Sequence, residues 1–154
     1  MDVRRLPAIG IAGALAILAG AAAIAAEGEP LIATVGNPAI VTALPSNAAE
    51  SMAGPKQAPR VVVHVTGYKP AQQGSVRGVV KVRQADGTEK EIGTFGVFPD
   101  TAFKADTSRP RMFSFPLPRE LAAAPVQLKV EVVPDKERST GEGAQLEIGR
   151  AEIQ

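Results

Sequence analysis

The chain has 154 residues, with 17 Lys and Arg against 16 Asp and Glu, one histidine (His64), and neither cysteine nor tryptophan. That length allows one domain. The near-neutral charge leaves no basic surplus for nucleic-acid phosphates, and a chain without cysteine forms no disulfide.

Met1–Ala26 reads as a secretion signal. Arg4 and Arg5 supply the positive start, Ala8–Ala26 carries no charge, and Ala23-Ile24-Ala25 puts small residues where a signal peptidase reads. Val3, Leu6 and Pro7 fit a twin-arginine export motif poorly. The same apolar run could also stay attached as a membrane anchor, although its Ala and Gly content inserts less favourably than Leu or Ile. Without residues 1–26 the chain holds 15 charges of each sign. The expected location is periplasmic or extracellular.

Glu27–Pro59 carries Pro30, Pro38, Pro45, Pro55 and Pro59 among small residues. Proline at that density interrupts helices and ladders, so residues 27–59 are expected to be a Pro/Ala-rich linker. Two apolar runs, Leu31–Val35 and Ala39–Leu44, are expected as loosely ordered linker, as an edge strand or as a docking segment.

The pattern changes at Arg60, where residues 60–154 are expected to form the domain. Val61–Thr66 is rich in β-branched residues, and Ser75–Arg83 alternates valines with basic residues. Asp86-Gly87 marks a hairpin turn, with Thr88–Phe98 as the returning strand. Met112–Leu117, Val126–Val133 and Gln145–Ile153 are three more strand-type runs. Only Pro118–Ala124 looks helical, with proline at its start. Together these predict an all-β fold, an antiparallel β-sandwich of about six to seven strands.

The chemistry available to this domain is narrow. His64 lies in a valine run, with its side chain on the face opposite Val63 and Val65. A metal site needs three or four ligands, and one histidine leaves only carboxylates to complete it. Glu50, Asp100, Asp106 and Asp135 lack calcium-loop spacing. No Gly-x-Ser-x-Gly turn presents a nucleophile, and Gly93-Thr94-Phe95-Gly96 opens no helix that would cradle phosphate. The expectation is no catalytic residue, no metal and no cofactor. The densest segment is Glu91–Phe103, where Phe95, Phe98 and Phe103 stand in a chain with five phenylalanines in all. Phe113 and Phe115 alternate on the next strand and are expected in the core.

Several segments in order resemble the C-terminal β-domain of the tyrosinase, polyphenol oxidase and haemocyanin group of type 3 copper proteins. They are Ile92-Gly-Thr-Phe95, Met112-Phe-Ser-Phe-Pro-Leu117, Glu120-Leu121, Val126–Pro134 and Leu146-Glu-Ile-Gly-Arg-Ala-Glu-Ile153, with Val61–Gly67 as the opening strand. In that group a separate helical domain supplies six histidines to copper, and this chain has no counterpart of it. The resemblance implies an appended domain travelling alone, covering or stabilising a partner copper oxidase. It also implies that Phe98 or Phe103 could plug a pocket in that partner.

The expected function is therefore a non-catalytic exported accessory domain with a protein partner. Its candidate docking residues are Phe98, Phe103, Arg109 and Arg111, on a long loop between two secure strands. Three alternatives stand beside it: a cell-surface domain for a ligand or the cell envelope, a fragment of a larger oxidase, and an enzyme using a carboxylate pair. Lone Tyr68 without tryptophan argues against a carbohydrate platform.

Overall fold

The computed structural model describes residues 30–45, 58–84, 86–98, 100–104, 109–122, 124–137 and 139–154. The expected signal and Asp106 lie outside them. The strands are β1 (Leu31–Thr34), β2 (Ala39–Pro45), β3 (Arg60–Lys69), β4 (Val76–Arg83), β5 (Glu89–Phe95), β6 (Phe103–Lys104), β7 (Arg111–Pro116), β8 (Val126–Pro134) and β9 (Gln145–Ile153). All belong to one hydrogen-bonded sheet in the order β5-β4-β8-β2-β9-β3-β6, with β1 on β9 and β7 on β3. The fold is all-β, as expected. Its strand pairs are antiparallel except one: Ala43–Pro45 of β2 runs parallel to Ala151–Ile153 of β9.

The expected linker needs correction at residues 31–45, which lie within the sheet between β8 and β9, while residues 46–57 lie outside the described residues. β1 pairs with residues 145–148 of β9, while β2 pairs with residues 126–130 of β8 and then with the end of β9. The prolines do not prevent this, because Pro30 and Pro38 precede strands and Pro45 ends one. The inner face of β2 is made of Ala39, Val41 and Ala43, all buried, and its outer face of Ile40, Thr42 and Leu44. Two of the three inner residues are alanine while Ile40 and Leu44 face outward, so most of the apolar bulk of this strand lies on its exposed face. β1 and β2 meet in a tight turn closed by two backbone bonds between Thr34 and Asn37, of 2.9 and 3.1 Å. Gly36 sits in it at φ 81°.

The strands after Arg60 form where their β-branched residues predict. Val61, Val63 and Val65 of β3, Val80 and Val82 of β4, Leu128 and Val130 of β8, and Leu146, Ile148 and Ile153 of β9 make a contiguous buried core. The turn between β4 and β5 uses Asp86-Gly87 as expected. Gly87 takes φ 85°, and Asp86 accepts bonds from Thr88 N at 2.9 Å and Thr88 Oγ1 at 2.6 Å. Those bonds hold the Asp86 carboxyl below its usual range. The expected helix shrinks to a 3-10 turn at Arg119–Leu121. Bounded by Pro118 and Pro125, it has too few residues to propagate.

No ladder pairing joins β5 to β7 among the described residues, although both end the sheet. Aromatic side chains bridge them instead. Phe95 stacks on Phe113 with ring centroids 4.3 Å apart and tilts against Phe115 at 6.0 Å. Phe95 and Phe115 are buried, while Phe113 is half-buried and packed against the core.

His64 faces away from the core valines, as its place in the run predicts, yet it is only 3% exposed. Its Nε2 lies 3.2 Å from Glu152 Oε1. Burial pushes the Glu152 carboxyl up, but hydrogen bonds from Gln154 and His64, with the charges of His64 and Arg150, outweigh it and hold the group below its usual value. A carboxyl depressed on folding adds stability above its unfolded pKa of about 4.3, and that stability is lost as pH falls through the folded value. Urea unfolding at pH 7 and pH 3 should therefore show a smaller acid loss in Glu152→Gln than in the parent. An equal loss would mean that the pair adds nothing to folding.

Candidate functional site

Two ties, from β7 and from β3, reach the described residues of the connection between β5 and β7. Arg111, the first residue of β7, donates from Nη1 to the Phe98 carbonyl at 2.9 Å. Its guanidinium also lies 4.0 Å from the centre of the Phe103 ring, a cation–π contact. The second tie comes from Tyr68 on β3, whose hydroxyl donates to Asp100 Oδ1. Burial, then that bond and the Asp100 charge, push the Tyr68 hydroxyl far above its ordinary pKa.

These ties separate the two candidate phenylalanines. Phe103 lies in β6 directly opposite Tyr68, half-buried against the core, with ring centroids 6.4 Å apart. Phe98 is 90% exposed, the most exposed large apolar side chain among the described residues. The loop is thus anchored by Phe103 and Arg111 and presents Phe98. Arg109 is exposed in the same connection. Of the four sequence candidates, Phe98, Phe103 and Arg111 come together, and Arg109 joins no contact described for that group.

Sequence reasoning missed Tyr68 and Asp100 as the second tie. Tyr68 follows Gly67 at the end of a valine strand, and nothing local marks its partner 32 positions away. It also missed the depression beside them. This open hollow of about 480 Å³ is lined by Tyr68, Lys69, Ala102, Phe103, Lys104, Gln145 and Glu147. Glu147 lies over Gly67, where any Cβ would stand 2.6 Å from its carboxyl carbon. Its Oε2 is buried without a hydrogen-bond partner.

Among the described residues no group of three or more His, Asp or Glu is placed to hold a metal ion. A scan against protein-family models and a search of curated proteins each find no match, so no relative supplies a function or links the chain to the type 3 copper group.

Proposed function

We propose that this chain is an exported, non-catalytic domain that docks a protein partner through the β5–β7 loop and covers or stabilises it. The observation that carries the reading is Phe98, 90% exposed on a loop that Arg111 ties at the Phe98 carbonyl itself. An aromatic held outward on a braced backbone loses little conformational freedom on binding, which suits an anchor residue. Phe98→Ala should weaken partner binding by about 1–3 kcal/mol and leave the melting temperature unchanged. Phe103→Ala should instead cost about 1–3 kcal/mol of stability, because its ring packs on the core and supports Arg111. A pull-down titration and a thermal melt on both variants check the division. Unaltered binding by Phe98→Ala would remove the loop from the interface.

The partner suggested by the sequence resemblance is a copper oxidase with six histidines in a helical domain. Copurification from the native host, followed by copper analysis of the captured protein, tests that identity. A captured partner without copper would leave the docking reading intact and remove the oxidase.

A second reading, contact with the cell envelope, is favoured by a different surface. Ile32, Ile40 and Leu44 lie half-exposed on the outer face of β1 and β2, soon after the uncharged run 8–26. Vesicle sedimentation of Ile40→Ser and Leu44→Ser beside Phe98→Ala separates the two. Loss of lipid binding in the first pair alone favours the envelope.

A further inference from the structure

We propose that the Asp86-Gly87 peptide between β4 and β5 is a site of slow self-modification, converting to isoaspartate through a cyclic imide, and that Thr88 sets the rate. The chemistry calls on no partner, so the proposal stands apart from the docking loop.

The pair that suits the turn is also the pair that reacts. Gly87 has no side chain to shield its amide nitrogen, and the Asp86 side chain has the length for a five-membered ring with that nitrogen. The Gly87 nitrogen bonds to Asp86 Cγ, and the carboxyl's hydroxyl leaves with the amide proton as water. Water then opens the imide at one of two bonds. Breaking the new Cγ–N bond restores aspartate, while breaking the original C–N bond leaves the main chain running through Cγ, with the carboxyl on Cα. Nothing is oxidised or reduced, and the mass does not change. Asp86 and Gly87 are exposed, so water reaches the imide freely.

Ring closure needs the nitrogen to give up its proton and the carboxyl to hold one. The folded turn opposes both. Gly87 N donates its hydrogen to the Gln84 carbonyl at 3.0 Å. Asp86 Oδ1 accepts from Thr88 N at 2.9 Å and from Thr88 Oγ1 at 2.6 Å. Those bonds keep the carboxyl ionised, the hydroxyl bond foremost, and turn Oδ1 toward Thr88. Gln84 N closes the turn by donating to the Thr88 carbonyl at 2.8 Å, and the ladder resumes at Arg83 and Glu89. The reaction therefore waits for the turn to open. Isoaspartate then adds one carbon to the main chain inside those closures, so the turn no longer fits the present register. The loosened strand is β5, which carries Phe95 into the seam with β7.

The test is prolonged incubation of the full chain at neutral pH, beside a synthetic peptide of residues 84–90. Trypsin releases the same peptide from the chain, because Arg83 precedes it and Lys90 ends it. Liquid chromatography with mass spectrometry separates its isoaspartyl form from the parent at equal mass. The folded chain should convert at least about tenfold more slowly than the free peptide. Thr88→Val should convert about two- to tenfold faster than the parent chain. Thr88→Ser, which restores the hydroxyl, should return to the parent rate. Phe98→Ala should convert like the parent, so failure here leaves partner docking untouched. Equal rates in the folded chain and the free peptide would overturn the proposal. So would a Thr88→Val chain that melts and converts like the parent, or a Thr88→Ser chain that converts as fast as Thr88→Val.

Discussion

A chain shortened to residues 60–154 is expected to lose its cooperative fold, while a chain beginning at residue 27 keeps it. The shorter form contains every strand with a strong β-branched signature, yet it lacks the segment between β8 and β9. Removing residues 31–45 strips partners from Val126–Val130 on one side and from both halves of β9 on the other. It also uncovers Leu128, Val130 and Ile148, which are fully buried when β1 and β2 are in place. Two long strands become edges facing a gap one strand wide, and edges of that kind pair with other chains. The loss should exceed the roughly 5–15 kcal/mol that holds a domain together. Circular dichroism melts of the two lengths check it, and a peptide spanning residues 30–45 added in trans should restore part of the transition. If the shorter chain melted like the longer one, β1 and β2 would be dispensable decoration.

Phe95→Ala is expected to cost about 3–5 kcal/mol, the largest effect of any single side chain in the aromatic group. Phe95 is where the two ends of the sheet meet, stacked on Phe113 and against Phe115 of β7. No backbone pairing backs up that contact among the described residues, so its loss opens the seam as well as leaving a cavity. From the other side, a Cβ at Gly78 would lie 2.4 Å from the Phe95 ring. Gly78→Ala should therefore also destabilise, and much less so when Phe95 is already alanine. Urea titrations of the two single variants and the double variant measure this coupling. Additive losses would place the two residues in separate environments.

Much of the sheet was legible because β3, β4, β8 and β9 put valine, leucine and isoleucine on one face at period two, with Asp86-Gly87 marking a turn between strands. β1 and β2 were not, because Ala33, Ala39 and Ala43 take the inner positions while Ile32, Ile40 and Leu44 face outward. A reader of hydrophobic periodicity sees a linker there. At the loop, three phenylalanines within nine residues pointed to the right region. Their roles depend on Tyr68 and Arg111, which reach them across the fold, so local pattern could not separate the anchored Phe103 from the presented Phe98. His64 was placed on the correct face, but its burial comes from neighbouring strands that bring Met112 and Arg150 beside it and Glu152 to its ring. The unpaired Glu147 carboxylate had no sequence signal at all, being one acidic residue in an alternating strand.

The central claim is that Phe98 is the point of contact with a protein partner, and photocrosslinking tests it most directly. Benzoylphenylalanine placed at position 98, and at the exposed position 90 of β5 as a control, is irradiated in extracts of the native host. The account predicts one defined adduct from position 98 and none from position 90, displaced by excess parent protein and not by Phe98→Ala. The same adducts from both positions, or displacement by Phe98→Ala as effective as by the parent, would contradict it.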